Sequence, residues 1–178
     1  MRDVSWTELK KYSDDLGAPI IWSESTQDGG VRYDLAVSHK GLAWTCVLLE
    51  GNNDSEITEF ETDYKGTIVE LRVSDEVDLL TEMADYFVPP TGSKVVIIDF
   101  HAEGAFKADA ACKLLWDYNE SGEQPLWTAQ GTSNMPGRYI IPTTDTDGVK
   151  KLAVSCDNGT LGSLLMSAYA KILVIDNG

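Results

Sequence analysis

Asp99 and His101 stand two residues apart in a stretch that alternates like a strand, so both side chains fall on one face. An acid beside a histidine can orient the imidazole to take a proton from a nucleophile. No G-x-S-x-G elbow accompanies the pair, and Cys46, Cys112 and Cys156 each sit in an apolar run rather than an activating context. The pair therefore reads as the polar end of a strand. Asp145-Thr146-Asp147-Gly148 begins like a calcium loop. A hand motif counted from Asp145 needs a Glu at its twelfth position, which here is Cys156. Asp147-Gly148 reads instead as a hairpin turn. Three scattered cysteines and two histidines, His39 and His101, give no C-x-x-C or H-x-x-x-H spacing. No catalytic residue, metal or other cofactor is expected.

Carboxylates are plentiful, and they cluster over 54–85 among Ile57, Phe60, Tyr64, Leu71, Val77 and Leu80. That is the pattern of a solvated face on amphipathic elements. Aromatic residues of the second half offer a different chemistry, because a flat ring stacks on the apolar C–H face of a sugar. Strand alternation groups Cys112, Leu114, Trp116 and Tyr118 on one face, which makes Trp116 a core residue. Trp127 is opposite in phase to Leu126 and Thr128 and so is expected on an open face. Packing is the commoner role for such rings; the ligand-stacking candidates are Trp127, Tyr139 and Tyr118.

The elements that must position these residues follow from local signals. Ser5-Trp6-Thr7-Glu8 is a capping box, Leu9, Tyr12 and Leu16 recur at helical spacing, and Gly17 suits a C-terminal cap. A helix is predicted over 6–16. After Pro19, three extended segments separated by Gln27–Gly30 and Ser38–Gly41 predict a small antiparallel sheet. Gly51–Asp54 ends it, and Ile57, Phe60 and Tyr64 predict a second helix over 55–65. Residues 67–88 are ambiguous: 68–73 alternates as a strand, whereas Val77, Leu80 and Met83 suit helix or strand. Pro89-Pro90-Thr91-Gly92 is the expected boundary and an exposed connection. Beyond it, short strands at 94–100, 110–118, 125–130, 138–142, 149–156 and 164–175 argue for a sandwich. The fold expected is mainly β: a small α+β part over 1–88 and a C-terminal antiparallel β-sandwich, jelly-roll-like, over 91–178.

The formal net charge is −15. Residues 1–90 carry 19 acids against 7 bases, and residues 91–178 carry 10 against 7. No basic stripe exists to displace counterions, so neither nucleic acid nor an anionic membrane is an expected partner. No run of about 18 apolar residues is present to span a bilayer as a helix. Met1-Arg2-Asp3-Val4 has no apolar run, so no secretion signal is expected. The odd cysteine count predicts three buried free thiols of a reducing compartment.

Glu59-Phe60-Glu61-Thr62-Asp63-Tyr64-Lys65 resembles a D-F-E-x-x-Y-K-like signature of proteins encoded with the virion genes of tailed bacteriophages, with Glu59 where Asp is usual. Lys113–Asp117, Asp147–Leu152 and Asp157–Gly159 are similar to the β-rich tails of the same group. The resemblance implies a non-enzymatic virion structural protein of the tail, baseplate or capsid surface, assembled in the host cytoplasm. On it, residues 1–88 anchor the chain to other virion proteins and the sandwich faces outward, with host-surface glycan as candidate ligand. A carbohydrate-binding module outside any virion is the alternative. Both faces of Leu164–Ile175 are largely apolar, so the second wants cover, either from the N-terminal part or from a neighbouring subunit of a homo-oligomer, a trimer being favoured.

Overall fold

The computed structural model describes residues 1–77, 81–104, 109–136, 138–159 and 162–176, and it divides into two compact units, Met1–Gly66 and Thr67–Gly178. Leu80, on which the helical reading of 75–86 partly rested, lies outside the described residues.

In the first unit, β1 (Arg2–Asp3) and α1 (Trp6–Leu16) are followed by β2 (Ile21–Gln27), β3 (Gly30–His39), β4 (Leu42–Leu49) and α2 (Asp54–Asp63). Half of the capping box forms: Ser5 is the N-cap, and its hydroxyl, rather than its backbone amide, donates to Glu8 Oε1 at 3.2 Å. Ser5 Oγ accepts from the Glu8 amide at 3.2 Å, and Gly17 ends the helix at φ 64°. Asp28-Gly29 and Lys40-Gly41 take positive φ, the geometry of two-residue hairpin turns, and fix β2–β3–β4 as an antiparallel meander. β1 adds to β4 in parallel, which local sequence does not announce. Tyr33, Leu35, Val37, Cys46 and Leu48 share one sheet face and meet Trp6 and Leu9 of α1 and Phe60 of α2 in the core.

The second unit is a β-sandwich. One sheet has the order β10 (Ser133–Asn134), β7 (Lys94–Gly104), β13 (Leu164–Ile175), β5 (Thr67–Val77), with β11 (Tyr139–Ile141) also on β7. The other has the order β6 (Thr81–Phe87), β12 (Leu152–Asn158), β8 (Ala110–Trp116), β9 (Gln124–Ala129). All pairings in this unit are antiparallel. Its core is filled from alternate positions: Met166, Ala168, Ala170 and Ile172 of β13 face Cys112 and Leu114 of β8 and Leu152 and Val154 of β12. In β7 the register slips opposite Lys171/Ile172, so the inward residues change from Val95 and Ile97 to Phe100 and Ala102.

The domain boundary differs from the expected one. β5 pairs with β13 along its whole length and β6 pairs with β12, so residues 67–77 and 81–87 belong to the sandwich rather than to the α+β part. Pro89-Pro90-Thr91-Gly92 is an arch from one sheet to the other, where no ladder hydrogen bond is required of the prolines. Pro89 is buried, and the Gly92 amide donates to Thr146 O at 3.0 Å. Asp147-Gly148 is likewise not a hairpin. It joins β11 to β12 across the sandwich, with Asp147 Oδ1 accepting from the amides of Val149 and Lys150 at 2.9 Å. Asp157-Asn158 ends β12, and buried Asn158 donates to Val77 O at 2.7 Å and Gly162 O at 2.8 Å.

Candidate functional site

Along β6, Met83 and Phe87 turn toward the core, which leaves Glu82, Ala84 and Tyr86 on the outer face. Tyr86 is 51% exposed. At the end of β8, Asp117 and Asn119 both take left-handed backbone, with φ of 57° and 63°, and this breaks strand alternation on either side of Tyr118. Tyr118 is thereby released from the Trp116 face on which alternation grouped it. Its ring stands 6.1 Å from that of Tyr86, tilted by 34°. The Tyr118 hydroxyl donates to Glu82 Oε1 at 2.8 Å, and its amide donates to Lys151 O at 3.2 Å. Lys151 Nζ lies 5.3 Å from the Tyr86 centroid. Partial burial, and then the hydrogen bond to Glu82, push the Tyr118 phenol up to about 12, so it stays a neutral donor at physiological pH. The cluster combines two apolar ring faces, a carboxylate acceptor and an ammonium donor on an open sheet surface. That combination suits a polyol ring better than a phosphate or an extended peptide.

The other stacking candidates lie elsewhere. Trp127 is not on an open face. It pairs with Leu114, and a register shift beside that pair brings both Leu126 and Trp127 against the sandwich core. Its indole Nε1 is buried with no hydrogen-bond partner among the described residues. Tyr139 lies on the edge strand β11 of the opposite sheet, opposite Ile97, and is 40% exposed. Of the three, Tyr118 alone joins an aromatic cluster. Its partner Tyr86 was missed because 75–86 read equally well as helix. The local sequence carried no clean signal: in Glu82-Met83-Ala84-Asp85-Tyr86-Phe87, positions 83, 85 and 87 include a carboxylate and positions 82, 84 and 86 are mixed.

Asp99 and His101 do share the outer face of β7, opposite Lys171 and Tyr169. The imidazole, however, is held by Glu103 Oε1 at 2.8 Å from Nε2 and by Asn134 Oδ1 at Nδ1. The hydrogen bond to Glu103, then that to Asn134, raise its pKa above the ordinary 6.5. Nearby, Tyr169 OH donates to Glu70 at 2.9 Å and Arg72 lies 5.0 Å over the Tyr169 ring. Among the described residues, no group of three or more His, Cys, Asp or Glu is placed to hold a metal ion.

In the first unit the face of the sheet away from the helices holds a depression of about 600 Å³ lined by Ile21, Ser23, Arg32, Asp34, Thr45 and Val47. Arg32 and Asp34 in it already satisfy each other, through two Arg32 nitrogens at 2.9 and 3.0 Å, and Asp3 at its rim accepts from Thr45 Oγ1 at 2.6 Å. The signature residues 59–65 lie on and just after α2 and serve the fold. Glu59 accepts from Lys10 at 2.5 Å and from the Trp6 indole at 3.2 Å, and both bonds hold its carboxyl below the usual carboxylate range. Phe60 is fully buried. Tyr64 packs edge-on to Trp6, and Lys65 reaches the Tyr33 hydroxyl at 3.0 Å above the Trp22 ring.

No family model and no curated protein matches this sequence. Among solved structures, Aeromonas hydrophila PliG, a periplasmic inhibitor of g-type lysozyme, is similar at 12% identity and TM-score 0.31, covering 61% of this chain and 87% of that one. TmCBM61, solved with β-1,4-galactotriose, is similar at 14% identity and TM-score 0.33, covering 66% and 76%. The structure of infectious bursal disease virus Gx strain is similar at 9% identity and TM-score 0.35, covering 86% of this chain and 44% of that one.

Proposed function

We propose that this protein is a non-enzymatic virion component of a tailed bacteriophage whose β-sandwich attaches to host-surface glycan. The observation that carries the binding part is the outward pair Tyr86 and Tyr118, flanked by Glu82 and Lys151. The rings supply apolar stacking faces, Glu82 accepts from sugar hydroxyls and Lys151 donates to them. The virion part is supported by the resemblance of 59–65 and of the β-rich segments. Other virion proteins, bound through the first unit, are the partners this reading names. Assembly as a homo-oligomer is supported by two apolar side chains left in solvent, Ile68 at 45% and Leu165 at 73% exposure.

Two measurements test the parts separately. On a glycan array the wild-type chain should bind a defined set of sugars, and Tyr86→Ala and Tyr118→Ala should each abolish that binding while keeping the β circular-dichroism spectrum. Unchanged binding by both variants would remove the site. Mass spectrometry of purified phage particles should find the chain at stoichiometric copy number. Binding without incorporation would favour a free-standing carbohydrate-binding module.

A further inference from the structure

Cys112 and Cys156 are 44 residues apart in sequence, yet they are directly paired across β8 and β12, the two central strands of their sheet. Both are fully buried and both face the sandwich core, and their sulfurs are 2.9 Å apart. A bond of about 2.05 Å is therefore within a sulfur displacement of about 0.9 Å. Directly opposed strand positions hold their Cβ atoms about 4.5–5.5 Å apart, close to the range a disulfide spans. The third cysteine, Cys46, lies in the core of the other unit.

We propose that Cys112 and Cys156 form a disulfide site: two thiols that persist in a reducing compartment and close on each other by exchange with a small-molecule disulfide such as oxidised glutathione. One cysteine thiolate attacks a sulfur of the small disulfide and expels a small thiolate. The other cysteine then attacks the protein sulfur of the mixed disulfide and expels the second. One S–S bond is broken in the oxidant and one forms in the protein. Two electrons pass to the oxidant, and the two thiol protons end on the two released small thiols. The hydrogen bond with Cys156, and then burial, raise the Cys112 thiol, so the folded chain exchanges slowly and closure occurs as the chain folds or opens. The bond would tie the middle of one sheet without a ligand or a neighbouring chain.

The experiment refolds the full chain from denaturant in glutathione buffers of rising oxidised fraction, quenches with acid, and alkylates. Intact mass and a non-reducing peptide map follow. In reduced buffer three thiols should be alkylated. In oxidised buffer one should remain, Cys46, with the Cys112 and Cys156 peptides linked. Closing a 44-position loop should lower the unfolding equilibrium constant about a thousand-fold. Cys112→Ala should keep both remaining thiols in every buffer, and Cys46→Ala, which leaves the pair untouched, should lose two. Three alkylated thiols at the most oxidising ratio, a linkage through Cys46, or a stable glutathione adduct would overturn the proposal. If Cys112→Ala does not fold, retention of both thiols in oxidised Cys46→Ala overturns it alone.

Discussion

The two units fill their interiors with different side chains. In the first, Phe60 sits among Trp6, Trp22 and Tyr33 at centroid distances of 6.0, 5.9 and 5.1 Å, and Tyr12 stacks on Trp44 at 4.5 Å. In the second, the shared core is Val, Ile, Leu, Met and Ala with Cys112 and Cys156, and Phe100 and Trp116 are its buried aromatics. A unit of 66 residues with one covered sheet face has few inward positions, so each must carry a large apolar area. Two long sheets packed face to face have many inward positions and close on small side chains. Their tyrosines are then available at the surface, as Tyr86 and Tyr169 are. The comparison teaches that an aromatic motif has opposite meanings in the two halves: structural in Glu59–Lys65, and available for ligand contact in Tyr86–Tyr118.

Core truncations test that difference most strongly. Phe60→Ala should cost about 3–5 kcal/mol, because three rings lose their common partner. Ile172→Ala in the sandwich should cost about 2–5 kcal/mol, with the smaller loss expected where neighbouring alanines let the site collapse. Denaturant unfolding, with hydrogen exchange to locate the loss, measures both. If the two costs were equal and both large, the distinction between an aromatic and an aliphatic core would have no energetic content.

A smaller effect is expected at the helix start. Ser5→Ala leaves the Glu8 amide without its acceptor and should cost about 1 kcal/mol, read as faster exchange in the first turn of α1.

Two groups, one in each unit, should respond to pH with opposite signs. Glu59 has a lowered pKa in the fold, so its contribution is present above the ordinary value of 4.5 and is lost as pH falls through the folded value. His101 has a raised pKa, so its contribution is fully present below 6.5 and is lost as pH rises through the folded value. Both side chains are over a third exposed or nearly so, and solvent keeps both effects small. NMR titration should find the His101 pKa above 6.5, and Glu103→Gln should bring it down. An unchanged value in that variant would show that Glu103 does not hold the ring.

The smallest change is expected at the candidate binding face. Tyr86→Ala should alter stability by no more than about 0.5 kcal/mol, since half of its surface already meets water. A loss comparable with that of Phe60→Ala would make Tyr86 a packing residue and move it to the structural side of the comparison.

The sequence by itself determined what is decided within about ten residues. Ser5, Glu8 and Gly17 set both ends of α1, and Asp28-Gly29 and Lys40-Gly41 set two hairpins, because caps and tight turns depend on backbone groups close along the chain. The alternation of 164–175 showed a strand with two largely apolar faces. Tertiary structure decided the rest. A period of two shows that a strand has two faces but not which partner it pairs with or which face is covered. β5 pairs with β13 and β6 with β12, and so residues 67–77 and 81–87 join the sandwich although nothing beside them says so. Trp127 turns inward because a register shift sets its phase against Leu114, and Tyr118 turns outward because two left-handed residues interrupt its strand. Cys112 meets Cys156 for the same reason: each position is fixed by pairing across the sheet, and that pairing is chosen by burial of the whole core rather than by the residues on either side.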